Sequence, residues 1–585
     1  MKAEKDEFNG WLRVWEVALE GSGRSVNELF EESKRLGLPP MEVLTQVWKV
    51  SDYYELAKRW SEVFSVPYRE AFEYEKHGGW FLVGKDGVAV WFPLYLTELR
   101  RKFPDKEVFL VPYSLFRRKE EEEEGLWGLF LEVIRLARKL EVSDVHFEVR
   151  PYGVDVRFRI LGELRLFRTF DLETGRKLQK VVKTEAAGYT YNFDPEKWQV
   201  RQDARIVLKE ENLDLRLAFT PSLVDGMQNF VVRLLTKSAL RVRSKTDLEK
   251  LGYFEEDVDV ILEQSQKTYG LNVVSGPTGS GKSLTINTIL GLFPPTLKIL
   301  TVEDPVEYVL ENAVQHQVFE LKLEDGSILR MDYLEYLREF MRMDPDVIFI
   351  GEWRKIPELT EGMLYASETG HLVFTTLHAN RATTVPNLLV NQYGLKNEDV
   401  SNNLNFVLNQ RLVKKLCPRC AKTHVLKEEE IHQFIEKLRL KDKNKLKILI
   451  GEEVKEAGKG CELCIRKHPL EPEKVVSSGF VGRTVIYEYL IFDEVIKNLV
   501  LQTTSSLKVE DYMVENSAYL FLEKSDEKFE EKLSSALKEA QVVKENEYGI
   551  LLKRKKFTAK TFVDTVLEKV LSGEVELKEA LSKIL

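Results

Sequence analysis

Cysteine is nearly absent: the chain has four in 585 residues, all between Cys417 and Cys464. That excludes a disulfide scaffold and makes the cytosol the natural compartment. Long apolar runs are also missing. No stretch approaches the 18 residues of a membrane span, and apolar runs such as Val347–Ile350 suit a buried strand, so an integral membrane protein is not expected. The N-terminal MKAEKDEFNGW has no apolar core after its lysines and does not read as a secretory signal. Positive charge is not in excess. The 86 Lys and Arg stand against 95 Asp and Glu, net −9, which does not suit a dedicated nucleic-acid binder although it leaves room for local basic patches. What the chain has is bulk. Its length fits about four domain-sized units, and 43% hydrophobic residues against 31% charged supply several cores, which excludes full disorder.

Residues 1–117 carry helical patterning at Val26–Leu36 and Pro40–Val50, then strand-like Trp80–Val83, Val88–Phe92 and Val108–Val111. They read as a small helical and mixed module. The run Arg117–Glu124 is too polar to pack and predicts a solvated linker over 118–125. From Leu126 a helix is expected, with Phe130, Val133, Ile134, Ala137 and Leu140 on one face. In the following strand Val154, Val156, Phe158 and Ile160 alternate inward, placing Asp155, Arg157 and Arg159 together on the opposite face; Gly162–Glu163 is a turn before the strand Leu164–Phe167. This makes 126–237 a second, α+β module, ending at the basic stretch Lys237–Lys245.

Over 251–411 the pattern changes. Leu271–Ser275, Ile299–Glu303, Val347–Gly351 and Leu372–Leu377 are near-continuous apolar runs, as expected for parallel strands covered on both faces. Residues 483–585 read as helical, ending in the amphipathic pair Thr558–Leu571 and Leu577–Leu585. No internal repeat is visible.

Gly276-Pro277-Thr278-Gly279-Ser280-Gly281-Lys282-Ser283 satisfies G-x-x-x-x-G-K-[ST] and lies between an apolar strand and a helix starting near Lys282. Glycines let backbone amides point at phosphates, and the helix N-terminus adds partial positive charge. Lys282 can reach the β- and γ-phosphates and the Ser283 hydroxyl can hold Mg²⁺. Leu284 completes the loop. The next strands end at Glu303 and, one residue beyond Gly351, at Glu352. Ligands of parallel sheets sit at the carboxyl ends of strands, so these two acids should converge beside the γ-phosphate, one orienting the attacking water and the other binding Mg²⁺ through water. A fourth strand runs from His371 to His378. A histidine at its carboxyl end can donate to a γ-phosphate, which favours His378 over His371, but by itself such a histidine can equally be structural.

Cys417-Pro-Arg-Cys420 and Cys461-Glu-Leu-Cys464 form two C-x-x-C hooks that together complete a closed tetrahedral Zn²⁺ site over 412–482; a redox pair or free thiols are the alternatives. Five basic residues and no acid within Asn409–Lys422 would compensate the negative metal centre. Ligation should contribute folding free energy.

Together GPTGSGKS, TVEDPVEY, LREFMRMDPDVIFIGEWR and TGHLVFTTLHAN resemble the motifs of the secretion ATPase superfamily that drives type II secretion and type IV pilus assembly; NQRLVKKLCPRC and GRTVIYEYL follow in order, and SDVHFEVRPYGVDVRFRILGELR with QDARIVL resemble its second N-terminal domain. The likeness covers roughly 126–490 and extends weakly over 20–116. It implies an α/β, RecA-like P-loop ATPase core with a preceding α+β domain, an additional small N-terminal domain, an inserted zinc subdomain and C-terminal helices. It implies ATP, Mg²⁺ and Zn²⁺ as cofactors, Glu303 and Glu352 as catalytic acids and His378 as γ-phosphate sensor. It further implies that Arg157, Arg159 or Arg165, with Arg159 preferred, neutralises phosphate charge; Arg338 and Arg342 could serve instead or only pair with local acids. The tetracysteine element favours extension-type members over retraction ATPases. The resemblance also implies a homo-hexamer in the cytoplasm, docked through an inner-membrane platform protein and assembling a type IV pilus or secretion pseudopilus. A related ring motor acting on nucleic acid or in conjugation, or a slow-cycling nucleotide-binding regulator, are the competing readings; nucleic acid is not the expected partner. The sequence departs from the family pattern at Leu161, Ala204, Leu284, Lys355 and Ala379, none of which supplies a phosphate or Mg²⁺ group, although Lys355 puts the tether of its loop in question. The segment Arg466–Ser478 looks like an insertion.

Overall fold

A computed structural model describes residues 15–16, 18–19, 22, 24–36, 59–60, 76–77, 81–84, 87–90 and 104–110, and then 114–584 apart from 191–192, 209–210, 212, 237, 323–327 and 468–474. The chain divides into two compact units, Met1–Val133 and Ile134–Leu585.

In the first unit, the helix Val26–Leu36 forms as its pattern predicts. Ser25 starts it: its Oγ accepts from the Glu28 amide at 3.3 Å while the Glu28 carboxylate accepts from the Ser25 amide at 2.7 Å, a reciprocal cap that satisfies two of the helix's free donors. Strands Phe81–Gly84, Gly87–Val90 and Val108–Leu110 lie where strands were expected and share a four-stranded sheet with Lys76–His77. The expected helix Pro40–Val50 lies outside the described residues. The run read as a solvated linker, 118–125, is instead part of a helix, Ser114–Lys139. Its glutamates and lysines are good helix formers, and the apolar face that follows them, with Phe130, Ile134 and Ala137 fully buried, anchors the whole segment.

The second unit opens with a six-stranded antiparallel sheet: β1 Asp144–Arg150, β2 Gly153–Ile160, β3 Glu163–Phe170, β4 Gln202–Leu208, β5 Leu213–Pro221 and β6 Gln228–Thr236, in spatial order β3-β2-β1-β6-β5-β4. Alternation decides its faces. Val154, Val156, Phe158 and Ile160 are buried as the pattern requires, and α1, Leu172–Ala187, contributes Leu178 and Val182 to the buried set. The opposite face is charged. The β2–β3 hairpin closes with Leu161 at φ 50° and Gly162 at φ 89°, the two left-handed residues of the tight turn whose twist matches its strands.

The core is an eight-stranded sheet. Its strands β7 Gly270–Ser275, β8 Ile299–Glu303, β9 Ala313–Gln317, β10 Val347–Ile350, β11 Leu372–Leu377 and β12 Leu404–Leu416 run parallel, and β13 Phe480–Ile491 and the short Ala559–Lys560 add antiparallel, in order β9-β8-β10-β11-β7-β12-β13 and then Ala559–Lys560. The four apolar runs are fully buried because neighbouring residues feed two separate cores: Val273, Ile348 and Ile350 pack on one face, Val274, Phe349 and Phe374 on the other. The helix Glu255–Ser265 is pinned across the sheet edge by its buried Asp257, which accepts from Tyr489 Oη at 2.9 Å and from Tyr487 and the Lys560 ammonium.

Two boundaries drawn from the sequence, 411/412 and 482/483, fall inside β12 and β13. These long strands carry the core sheet outward, and the segment between them forms an arm with the helix Glu428–Lys437 and a 3-10 turn Lys443–Leu449. The region 483–585 is not wholly helical either. Tyr519–Glu523, Gly549–Arg554 and Ala540–Glu545 make a three-stranded antiparallel sheet, after which the expected helix pair follows as Phe562–Leu571 and Leu577–Ser582. Arg466–Lys467 and Val475–Ser477 of the supposed insertion pair as a short hairpin.

Candidate functional site: a phosphate loop facing two glutamates

The loop after β7 bends through Gly276 at φ 146°, Gly279 at φ 76° and Gly281 at φ 87°, which a side chain would resist. At Gly276 the restriction is also spatial: a Cβ would stand 2.5 Å from the Gln410 carbonyl and 2.7 Å from Ser280 Oγ. The loop delivers Lys282 and Ser283 into the first turn of α2, Lys282–Gly291, with Leu284 behind them. Strand β12 braces it from the side. Gln410 Nε2 donates to the Ser280 carbonyl at 2.7 Å, and Asn409 Nδ2 to Ser275 Oγ at 2.8 Å and the Ala379 carbonyl at 2.9 Å. Tyr253 Oη in turn donates to Gln410 at 2.8 Å. These props were not singled out in the sequence. Their only signal was the amide pair that opens the stretch NQRLVKKLCPRC.

Lys282 Nζ donates to the carbonyls of Gly276 at 3.0 Å and Pro277 at 3.1 Å. Desolvation pulls its ammonium down to about 8, against the opposing pull of Glu352. Glu303 ends β8 almost fully buried. Desolvation raises its carboxyl, while Thr301 Oγ1 at 3.0 Å, Gln315 Nε2 at 3.1 Å and Asn287 Nδ2, from α2, at 3.4 Å hold it in place. Glu352 follows β10 and is more open. Its Oε1 lies 3.5 Å from His378 Nε2, and its Oε2 accepts from Arg354 Nε at 3.0 Å. Lys282, Glu352 and His378 therefore share one site, with Glu303 at the neighbouring strand end. His371 does not join them: its Nδ1 sits 3.0 Å from the Ala366 carbonyl, in the turn that opens β11.

The arginines fall elsewhere. Arg157 reaches Glu148 at 3.4 Å, Arg159 the Gly162 carbonyl at 3.1 Å, and Arg165 Glu163. Arg338 and Arg342 pair with Glu335 at 2.7 Å and Glu339 at 3.8 Å on their own exposed turns. The arginine that the fold does bring to the site is Arg216 of β5, whose Nη2 is 2.6 Å from Asp304, the residue after Glu303; Arg354 Nη2 is 3.5 Å from the other oxygen of the same carboxylate. Nothing in local spacing marked Arg216, since its position depends on how the two sheets meet. The loop after Glu352 is tethered without an acid at 355. Trp353, buried, donates from Nε1 to Thr360 Oγ1 at 3.0 Å, and its carbonyl accepts from Tyr393 Oη at 2.9 Å.

On the other side of β7 a cavity of about 620 Å³ opens beside Pro277–Ser280, bordered by β12, β13 and the β2–β3 turn.

The four cysteine sulfurs lie within 4.8 Å of one another. Cys417–Cys461 and Cys420–Cys464 are each 3.6 Å apart and Cys461–Cys464 is 3.9 Å. A tetrahedral ion with zinc–sulfur bonds near 2.3 Å needs sulfur edges of about 3.8 Å, so the donor set fits that geometry. Amides of Cys461 and Gly479 each donate to Cys464 Sγ at 3.3 Å. Desolvation and the three neighbouring sulfurs push the Cys420 thiol up to about 12.

A family model described as type II/IV secretion system protein matches residues 119–581. The type II secretion system protein E of Pseudomonas aeruginosa is 32% identical over 403 residues, 68% of this chain and 71% of that protein. The type IV pilus assembly ATPase PilB of Thermus thermophilus is 30% identical over 420 residues, 71% of this chain but 42% of that protein. Among solved structures, the Legionella pneumophila ATPase DotB aligns at 16% identity and a TM-score of 0.46, over 77% of this chain and 94% of that one. Among the described residues no helix is long and apolar enough to cross a membrane.

Proposed function

Because the chain belongs to the type II/IV secretion system protein family, we propose that it hydrolyses ATP and uses the resulting domain movement to assemble a type IV pilus or a type II secretion pseudopilus. The observation that carries this reading is the convergence on one phosphate loop of Lys282, Glu352 and His378, with Glu303 on the adjoining strand end. In it the loop amides and Lys282 hold the β- and γ-phosphates. Glu303, whose burial raises its proton affinity, orients and deprotonates the attacking water. Ser283 and Glu352 are the groups that would hold Mg²⁺, which supplies charge neutralisation at the phosphates. His378 donates to the γ-phosphate and reports its loss. Arg216 carries that change to the six-stranded sheet through Asp304. The four cysteines would hold a structural zinc.

The same reading makes the working form a homo-hexamer, cytoplasmic and held at the inner membrane through a platform protein. Names of the similar proteins support the pilus and secretion assignment. The test is twofold. Sedimentation with ATP·Mg²⁺ should give a six-subunit particle, and that particle should retain a platform protein's cytoplasmic domains in a pull-down. A monomer under all nucleotide conditions, or turnover stimulated by DNA and not by the platform protein, would reject the assignment.

A further inference from the structure

Three side chains from distant parts of the sequence meet behind the phosphate loop. Tyr253 precedes the helix Glu255–Ser265, Thr285 lies in α2 and Gln410 in β12, and all three are buried. Their hydrogen bonds have one consistent sense. The Ser280 carbonyl can only accept, so it takes the Gln410 Nε2 donor at 2.7 Å. Gln410 Oε1 then faces Tyr253 Oη at 2.8 Å and can only accept in its turn, so the phenol donates. A phenol has a single proton, which leaves Thr285 Oγ1, 3.1 Å away, as a donor to Tyr253. Desolvation raises the Tyr253 phenol above its ordinary value, which keeps it a donor over the whole neutral range.

What this series of bonds holds is one peptide unit. A trans peptide is planar, with its C=O and N–H pointing in opposite directions. Because the Ser280 carbonyl is turned onto β12, the N–H of Gly281 points away from that strand. The other side of Gly281 is held as well, its carbonyl accepting from the Thr285 amide at 3.1 Å. Tyr253 is fixed from behind. Its ring centroid stands 4.8 Å from that of Tyr487, the Phe254 amide donates to Tyr487 Oη at 3.1 Å, and Asp257 of the same helix accepts from both Tyr487 and Tyr489. None of this packing uses the Tyr253 hydroxyl. A phenylalanine beside an apolar residue at 410 would fill the space with no buried polar group to satisfy; the hydroxyl and the amide add a directed contact on the loop instead.

We propose that Gln410 and Tyr253 are positioning residues of the phosphate loop: the Gln410 amide, oriented by the Tyr253 hydroxyl, keeps the Ser280–Gly281 peptide with its carbonyl on β12 and its N–H towards the phosphates. The inference rests on the phosphate-loop reading and adds to it which side chains outside the loop set the direction of one of its amides. Without them the peptide is free to rotate, and a carbonyl dipole then faces an anion where a donor stood.

Calorimetric titration of the full chain with ATP·Mg²⁺ and with inorganic tripolyphosphate·Mg²⁺ tests this. Gln410→Leu fills the space without a donor and should weaken both ligands about 10–100-fold, the worth of one N–H on a phosphate oxygen. Tyr253→Phe should weaken them about 3–10-fold, since the amide remains but its Oε1 has lost its donor. Gln410→Glu gives a readout that packing alone would not move. Its buried carboxyl, raised above the usual range, donates like the amide while protonated and can only accept once ionised. Affinity of this variant, taken as a ratio to the wild type at each pH, should lie within about threefold at about pH 6 and fall as pH rises towards about pH 9. A ratio that stays constant over that range would overturn the proposal, even if Gln410→Leu does not fold. So would a loss confined to ATP and spared for tripolyphosphate, because the amide meets phosphate alone. Failure of the wild type to bind either ligand would instead overturn the phosphate-loop reading beneath it.

Discussion

Arg216 Nη2 lies 2.6 Å from Asp304 Oδ1, and Asp304 in turn meets Arg354 at 3.5 Å, whose Nε bonds Glu352 at 3.0 Å. The six-stranded sheet is thus joined to the Glu352 carboxylate by a chain of alternating charges. Removing Arg216 leaves Asp304 free to draw Arg354 off Glu352. We expect Arg216→Ala to lower kcat by about 10²-fold, the cost of a misplaced catalytic group. Its melting temperature should hardly move, because a half-exposed pair contributes only about 0–1 kcal/mol. Steady-state kinetics beside a thermal melt checks this; an unchanged kcat contradicts it.

Lys282 gives a pH signature. Its folded pKa of about 8 is set by desolvation, and a bound triphosphate restores the charged form. Below this value the ammonium is present and binding is at full strength; above it the free protein must take up a proton to bind. Binding should therefore take up about half a proton at pH 8 and more at pH 9, with affinity falling as pH rises through that window. Titration in two buffers of different ionisation enthalpy measures the uptake. No uptake at pH 9 would mean that Lys282 does not contact the phosphates.

Gly276→Ala places a methyl group 2.5 Å from a carbonyl of a central strand, at a φ of 146°. Neither can yield without moving β12. A stability loss of about 1–3 kcal/mol and loss of nucleotide binding are expected from denaturant unfolding and ligand titration.

The cysteine cluster predicts one zinc per chain by elemental analysis. Cys420→Ser should release the metal and lower the melting temperature by roughly 5–10 °C, the shift that a few kcal/mol produces in a unit of this size. A metal-free wild type with an unchanged melt would remove zinc from the account.

The phosphate loop, both glutamates, His378 and the cysteine hooks were legible because each is a short pattern fixed by its own strand end or turn. What was not legible depends on distant partners. Arg216 looks like any arginine on a charged strand face until β5 is set against the loop after β8. Gln410 and Asn409 carry no local mark of their role, yet each is buried because an oxygen waits for it: the Ser280 carbonyl of the phosphate loop for Gln410, and Ser275 Oγ and the Ala379 carbonyl at two strand ends for Asn409. The C-terminal strands were hidden for a different reason. Ala540–Glu545 and Gly549–Arg554 each hold three apolar residues, in both cases with two or more side by side beside charges, which shows no period of two, and they become strands by pairing with each other and with Tyr519–Glu523. The run Arg117–Glu124 was misread because a helix with little apolar content needs its neighbour's anchored face to form.

Release of phosphate from ATP by the purified protein, beside Lys282→Ala and Glu352→Gln, tests the central claim most directly. Turnover should be at least about 10²-fold slower in each variant, with ATP still bound by Glu352→Gln and not by Lys282→Ala. Undiminished phosphate release in Lys282→Ala would show that the reaction, if it occurs, does not take place at this loop.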